Sequence, residues 1–295
     1  MSRLGTICTA MITPFDERGN IDSKEAARIA RWLVGRGNDG LVVAGTTGEG
    51  ATLDAGERRE LFGAVKAAIG DSAAMIANVG TNDVRSTIRA GKEAQDAGAD
   101  ALLVVVPPYV KPTQGGMLEF FGTIADATPL PVVVYNIPGR TAANMLPATL
   151  LELATRHKNV AGVKESSGDL KQIATIVRDR PDGFIVWSGD DHLFLPCLAV
   201  GADGVVGVAT HLCSREYREM FDAFRSGDVT RAAAIHNAQL ELVDALFAVT
   251  SPIAIKWAMG ELGFKVGRCR PPLDRLPAAL VERLRPLVAS YLTTA

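Results

Sequence analysis

Gly98-Ala99-Asp100-Ala101-Leu102-Leu103-Val104 reads as a helix stopped by a glycine, a short turn, and the opening of an apolar strand. The phrase returns as Gly37-Asn38-Asp39-Gly40-Leu41-Val42-Val43 and as Gly201-Ala202-Asp203-Gly204-Val205-Val206-Gly207. A junction that recurs in this way implies a repeating βα unit. Working outward, eight short runs rich in Val, Leu, Ile and Ala are expected as strands, at residues 6–12, 41–44, 74–79, 101–106, 132–135, 160–163, 184–187 and 204–208. Each is apolar on both faces, the pattern of a parallel sheet covered on both sides.

The segments between them carry helix signals. Asp22 ahead of Ser23-Lys24-Glu25, and Asp54 with Glu57, resemble capping boxes, and Ala26, Ile29, Ala30, Leu33 and Val34 fall on one helical face. Eight such units with right-handed crossovers close most naturally into an α/β fold of the (β/α)₈ TIM-barrel type. From about residue 214 the pattern is helix only, with Ile235, Ala238, Leu242 and Leu246 on one apolar stripe. No linker divides this part off, so 1–295 is expected as a single domain in which 214–295 is largely a C-terminal helical extension. The Pro/Gly cluster at 267–272 is expected to be only a helix–helix connection.

Composition narrows the function. Hydrophobic residues make up 47% and charged residues 22%, enough for a large core and too apolar for a disordered chain. The formal net charge is -2 and no basic run appears, which argues against nucleic acid as a partner. Cys8, Cys197, Cys213 and Cys269 show no C-x-x-C spacing, so neither a disulfide framework nor a zinc knuckle is expected, and a reducing compartment fits. Pro14 and Asp16 interrupt the apolar N-terminal stretch, and no apolar run is long enough to span a bilayer; a cytoplasmic protein is expected. The four histidines are far apart, Asp190 is expected to cap the next helix, and no metal site or nucleotide-binding glycine motif is indicated.

Barrel active sites lie at the C-terminal ends of the strands. There the sequence places Gly45-Thr46-Thr47-Gly48-Glu49-Gly50 after strand two, Tyr109 after strand four, Tyr135 at the end of strand five with Arg140 beyond it, Lys164 after strand six, and Ser188-Gly189-Asp190-Asp191 after strand seven. An ordinary lysine has a pKa near 10.4, so about one in a few thousand is neutral at pH 7; burial among apolar groups is how Schiff-base lysines are activated. Lys164 is a candidate of that kind, and equally well a lysine that snorkels outward to pair with Glu165 or Asp169. The threonine turn could nest a small carboxylate or simply close a β–α connection. Tyr109 and Tyr135 could relay protons or be core tyrosines, and Arg140 could hold a carboxylate or be a surface charge.

Taken in order, G-T-T-G-E, the tyrosine after strand four, Y-N-I-P-G-R-T, V-K-E-S-S-G-D, S-G-D-D and G-A-D-G-V-V-G-V resemble the dihydrodipicolinate synthase / N-acetylneuraminate lyase family. The likeness runs over nearly the whole chain and includes Ser251-Pro252-Ile253-Ala254-Ile255-Lys256. It implies a pyruvate-dependent class I lyase without a dissociable cofactor, built as a homotetramer of tight dimers. Lys164 would be the Schiff-base lysine and Tyr135 the proton-transferring phenol. Thr47 would link Tyr135 to Tyr109, which would reach into the neighbouring subunit's site. Thr46 and Thr47 would hold the pyruvate carboxylate, and Val206 would line that pocket with its backbone. Arg140 favours members that condense pyruvate with aspartate-semialdehyde in lysine biosynthesis (the diaminopimelate pathway) over those that cleave sialic or sugar acids. The alternatives are an aldolase or dehydratase acting on a 2-keto-3-deoxy sugar acid or hydroxy-oxoglutarate, and a non-catalytic metabolite-binding homologue. Two departures stand out. Ala142 follows Thr141 where many synthases have glycine, and Pro108 and Ala55 replace the aromatic and histidine of lysine-inhibited members, which argues against feedback by lysine.

Overall fold

A computed structural model describes residues 4–292. The first and last three residues of the expected 1–295 domain, the latter also ending the 214–295 extension, lie outside the described residues. Eight parallel strands follow one another around a closed barrel, each paired with its neighbours in sequence and the last with the first. They are β1 Ile7–Ala10, β2 Gly40–Val43, β3 Ala74–Asn78, β4 Ala101–Val105, β5 Val132–Asn136, β6 Val160–Glu165, β7 Ile185–Ser188 and β8 Gly204–Gly207. The helices are α1 Ser23–Gly35, α2 Ala55–Ile69, α3 Val84–Asp96, α4 Gln114–Asp126, α5 Pro138–Thr141, α6 Pro147–Arg156, α7 Leu170–Asp179, α8 Phe194–Ala199, α9 Thr210–Arg225, α10 Val229–Phe247, α11 Ile253–Glu261 and α12 Ala278–Leu292. The (β/α)₈ architecture with C-terminal helices is as the sequence reading expects.

The recurring Gly-x-Asp phrase has a physical reason. Gly37, Gly98 and Gly201 all take positive φ (91°, 84° and 95°), a backbone region open to glycine at little cost. The aspartate two residues later then clamps the strand before it. Asp100 donates its N–H to Met75 O (2.9 Å) while its Oδ2 accepts the Met75 N–H (2.8 Å). Asp203 forms the same reciprocal pair with Val186, both bonds 2.8 Å. Asp39 donates to Ile7 O and accepts from the N–H groups of Thr6 and Ile7. A basic side chain completes each clamp: Lys66 on Asp100, Arg180 on Asp203 and Arg218 on Asp39. Strand pairs β3/β4, β7/β8 and β1/β2 are thereby locked in register at the N-terminal end, leaving the other end free for chemistry.

Helix starts follow the expected chemistry with one difference. Asp54 and Glu57 form a complete capping box at α2. At α1 Asp22 accepts from the Glu25 N–H, but the Glu25 carboxylate turns away to Arg28 and to the Lys265 N–H, so only half of the box is made. In the C-terminal helices α9 starts at Thr210, a little before the expected boundary, and Leu242 and Leu246 are buried in α10 whereas Ala238 is exposed.

His211, in the first turn of α9, ties the mouth of β8 to that of β1. Its Nε2 accepts the Ile12 N–H at 3.1 Å, so Nδ1 carries the proton and donates to Val208 O at 2.8 Å. Burial lowers its pKa from 6.5 to about 4, against a smaller upward pull from the Val208 carbonyl. An unfolded chain therefore binds the proton first on acidification. The contribution of His211 is fully present above about pH 6.5 and is lost as pH falls towards 4, on the order of 3 kcal/mol in all. Denaturant unfolding of the wild type and His211→Gln across this range should show their stability difference shrinking with falling pH; a constant difference would refute the assignment.

Candidate active site

The alternation of a strand decides which side chains meet inside the barrel. Tyr135 and Lys164 are register partners on adjacent strands β5 and β6, and Lys164 is also opposite Trp187 on β7. Tyr135, Trp187 and Val206 belong to the apolar cluster that fills the barrel interior, with Val133, Ile185 and Cys8 among its other members. Lys164 is 5% exposed, and its Nζ stands 4.3 Å from the centroid of the Tyr135 ring.

Glu165, next in sequence, faces the other way. Its carboxylate is buried outside the barrel wall, where it accepts from Asn136 Nδ2 (3.0 Å to each oxygen), the Ser167 N–H (2.8 Å) and Gln172 Nε2 (3.1 Å). Burial raises its pKa above the ordinary carboxylate value, opposed by those hydrogen bonds. Asp169 caps α7 through the N–H groups of Lys171 and Gln172. Neither carboxylate that could have paired with an outward Lys164 does so, and the amine has no ion-pair partner among the described residues.

A cavity of about 560 Å³ opens at the C-terminal ends of β2 to β5, with Thr46, Asn78, Pro108, Tyr135, Arg140 and Thr141 on its wall. Lys164 does not line it directly but lies against Tyr135, which does. Thr46 and Arg140 are exposed to the opening, whereas Thr47 is buried in the turn at 4% exposure. No hydrogen bond joins Thr47 to Tyr135 or Tyr109 among the described residues. Tyr109 stands apart: it takes a left-handed φ of 72° and is 89% exposed. A larger hollow, about 900 Å³, sits at the opposite end of the barrel beside Thr6, Arg180 and Phe184, away from all these groups. Convergence of polar side chains, rather than size, marks the smaller cavity as the candidate site.

Two features of the mouth escaped the sequence reading. Glu49 takes a left-handed φ of 52° at the end of the threonine turn, and its carboxylate meets Lys256 of α11 at 2.7 Å, the two side chains 1% and 2% exposed. Its other oxygen accepts the Arg270 N–H at 2.7 Å, and Lys256 also donates to Arg268 O. Arg270 in turn reaches Glu57, Thr52 O and Gly19 O, and both cations lie over the Phe15 ring at 4.1 and 4.3 Å. The 267–272 segment is thus no mere connection; it is folded onto the mouth. A lone lysine among Ile253, Ala254, Ile255, Trp257 and Ala258 was the visible signal. The second feature is Asp191, buried and accepting from the N–H groups of Val208 and Ala209, while Asp190, expected to cap the following helix, makes no cap hydrogen bond.

Ala142, in the position of the expected glycine, has φ 56° and closes α5 by donating its N–H to Pro138 O. The left-handed turn is kept without glycine at a cost of roughly 1 kcal/mol. Asn144 then fastens the loop to Asn136 and Gln172, which sets the base of the segment carrying Arg140.

Among the described residues no group of three or more His, Cys, Asp or Glu is placed to hold a metal ion, and no helix is long and apolar enough to cross a membrane. Residues 3–289 match the dihydrodipicolinate synthetase family. The chain is 46% identical over 286 residues to a 4-hydroxy-tetrahydrodipicolinate synthase of Moorella thermoacetica, covering 94% of this chain and 98% of that protein. The crystal structure of a dihydrodipicolinate synthase from Cyanidioschyzon merolae with lysine bound superposes with a TM-score of 0.97 at 40% identity, over 99% of this chain and 100% of that one. A Bacillus anthracis dihydrodipicolinate synthase gives 0.95 at 38% identity, over 98% and 99%.

Removing the Lys256 ammonium leaves the Glu49 carboxylate buried without its cation, which costs about 3–5 kcal/mol in such pairs. Lys256→Met should lower the unfolding midpoint accordingly in denaturant titration; a variant as stable as the wild type would show that the pair is not needed to hold the mouth.

Proposed function

The chain belongs to the dihydrodipicolinate synthetase family, and we propose that it condenses pyruvate with aspartate-semialdehyde, the 4-hydroxy-tetrahydrodipicolinate synthase reaction of lysine biosynthesis. The observation that carries the reading is an amine buried in the barrel against the face of a tyrosine, with no carboxylate in ion-pair contact among the described residues. A lysine so placed has no structural ion pair to explain it, and deprotonated it is a nucleophile.

In this reading the neutral amine of Lys164 attacks the ketone carbon of pyruvate, and loss of water gives an iminium. Tyr135 supplies the proton that leaves with the water, and its phenolate then takes one from the pyruvate methyl group, yielding an enamine. The enamine carbon attacks the aldehyde, and the phenol gives its proton to the new alkoxide. The ammonium of the second substrate then returns a proton to the phenolate, and the amine so freed adds to the iminium carbon and expels Lys164 as the free amine. Thr46 and Thr47 hold the pyruvate carboxylate, with the backbone of Val206 closing that side. Arg140, exposed at the cavity rim, takes the carboxylate of the second substrate with its planar fork of donors. The iminium is itself the electron sink, so no dissociable cofactor is required.

Tyr109, projecting almost fully into solvent from a left-handed backbone, suits a side chain that completes a neighbouring subunit's site. It supports assembly into tight dimers and, from them, a homotetramer. The four cysteines are free, which suits a cytoplasmic enzyme.

Borohydride added with pyruvate should leave a reduced pyruvyl adduct on Lys164, read by peptide mass, and none on Lys164→Ala. Turnover should follow with aspartate-semialdehyde, and not with 2-keto-3-deoxy sugar acids or hydroxy-oxoglutarate. An unmodified Lys164, or turnover only with the sugar-acid panel, overturns the assignment. Loss of a charge-assisted hydrogen bond costs about 1.5–3 kcal/mol. Arg140→Ala should therefore raise KM for aspartate-semialdehyde roughly 10- to 100-fold while pyruvate trapping is unchanged; an equal loss in trapping would place Arg140 on the first substrate instead.

A further inference from the structure

Ser166 follows β6 directly and continues its pairing, donating its N–H to Asn136 O at 2.8 Å. Two residues on from Lys164, its side chain returns to the same side of the strand. Its hydroxyl is buried and makes no hydrogen bond among the described residues. Gly189 shows where that hydroxyl lies. A Cβ built there would stand 1.9 Å from Ser166 Oγ and 3.0 Å from Lys164 Cε, while the Gly189 N–H is held by Glu165 O at 2.8 Å. Hydroxyl and lysine tip therefore share the small space that the missing side chain of Gly189 leaves.

A buried hydroxyl without a partner costs about 1–3 kcal/mol, and alanine would occupy the position without that cost. The hydroxyl is thus aimed at a group that arrives with the substrate. Within the Schiff-base reading, on which this rests, one oxygen is bound to the carbon that bonds to Lys164 Nζ: that of the carbinolamine. We infer that Ser166 Oγ donates a hydrogen bond to this oxygen and so promotes its departure. As the C–N bond forms, the carbonyl electron pair moves to oxygen and one proton passes from nitrogen to it. The nitrogen lone pair then forms the C=N bond, the C–O bond breaks, and the hydroxyl takes the Tyr135 proton to leave as water. Ser166 keeps its own proton throughout. Gly189 belongs to the same device, because any side chain there would push the hydroxyl off the lysine tip.

The test is the rate of borohydride trapping at saturating pyruvate for wild type, Ser166→Ala, Ser166→Gly and Ser166→Thr. The two variants without a hydroxyl should be trapped about tenfold more slowly, and Ser166→Thr close to the wild-type rate, with the thermal midpoint of Ser166→Ala at or above that of the wild type. Trapping of both hydroxyl-free variants at the wild-type rate overturns the inference and leaves the Schiff base standing. A loss confined to the apparent affinity for pyruvate, with the saturated rate intact, overturns it as well. No adduct on the wild-type chain would instead remove the reading beneath it.

Discussion

The chemistry of this barrel hangs on the two-residue period of β6. Lys164 faces the interior, Glu165 the surrounding helices and Ser166 the interior again, so a carboxylate one bond away in sequence is kept from the amine. Had the strand slipped by one residue, Glu165 would stand beside Tyr135 and the lysine would lie among Asn136 and Gln172. The ladder forbids the slip. Glu165 pairs with Ser188 and Asn136, and its buried carboxylate is matched by four hydrogen bonds that no lysine could accept. The burial of one side chain outside the barrel thus fixes the position of the other within it.

The opposite end of the barrel serves the same purpose by other means. The aspartate clamps lie at strand N-termini, joining odd strands to the even ones that follow, and each uses one side chain to satisfy a strand N–H and a cation together. Register is settled there, away from the mouth. The mouth can then keep left-handed residues such as Ala44, Glu49, Tyr109 and Ala142, which a less constrained scaffold would relax.

Strand positions were legible because a run of buried aliphatic residues has few other interpretations in a chain of this pattern. Their edges were less so. Asn136, Glu165 and Ser188 look like loop residues, yet they complete the ladder because their polar groups find partners outside the barrel or in the next turn. Lys164 and Tyr135 were legible as a pair by their order at successive strand ends, and the barrel brings them together; Thr46 and Arg140 likewise share one cavity. Glu49 and Lys256 were not legible as a pair, since 207 residues separate them and either could have been a surface charge. The clamp aspartates were visible as a recurring phrase but read as turn residues. Their second bond, to a strand about 17 to 33 residues earlier, has no local signature. Ser166 and Gly189 carry no signal of their own, because an unpaired hydroxyl is a property of surroundings.

The contact between Glu49 and Lys256 also orders events in time. Synthesis runs from the N-terminus, and the threonine turn is made long before α11. Until residue 256 has left the ribosome, Glu49 has no cation to meet, and the turn beside it has no anchor from the rear. The barrel strands are all available by then, the last of them ending at Gly207. A nascent chain can accordingly close its sheet while its mouth is still unmade, and the final stretch of translation converts a scaffold into a site.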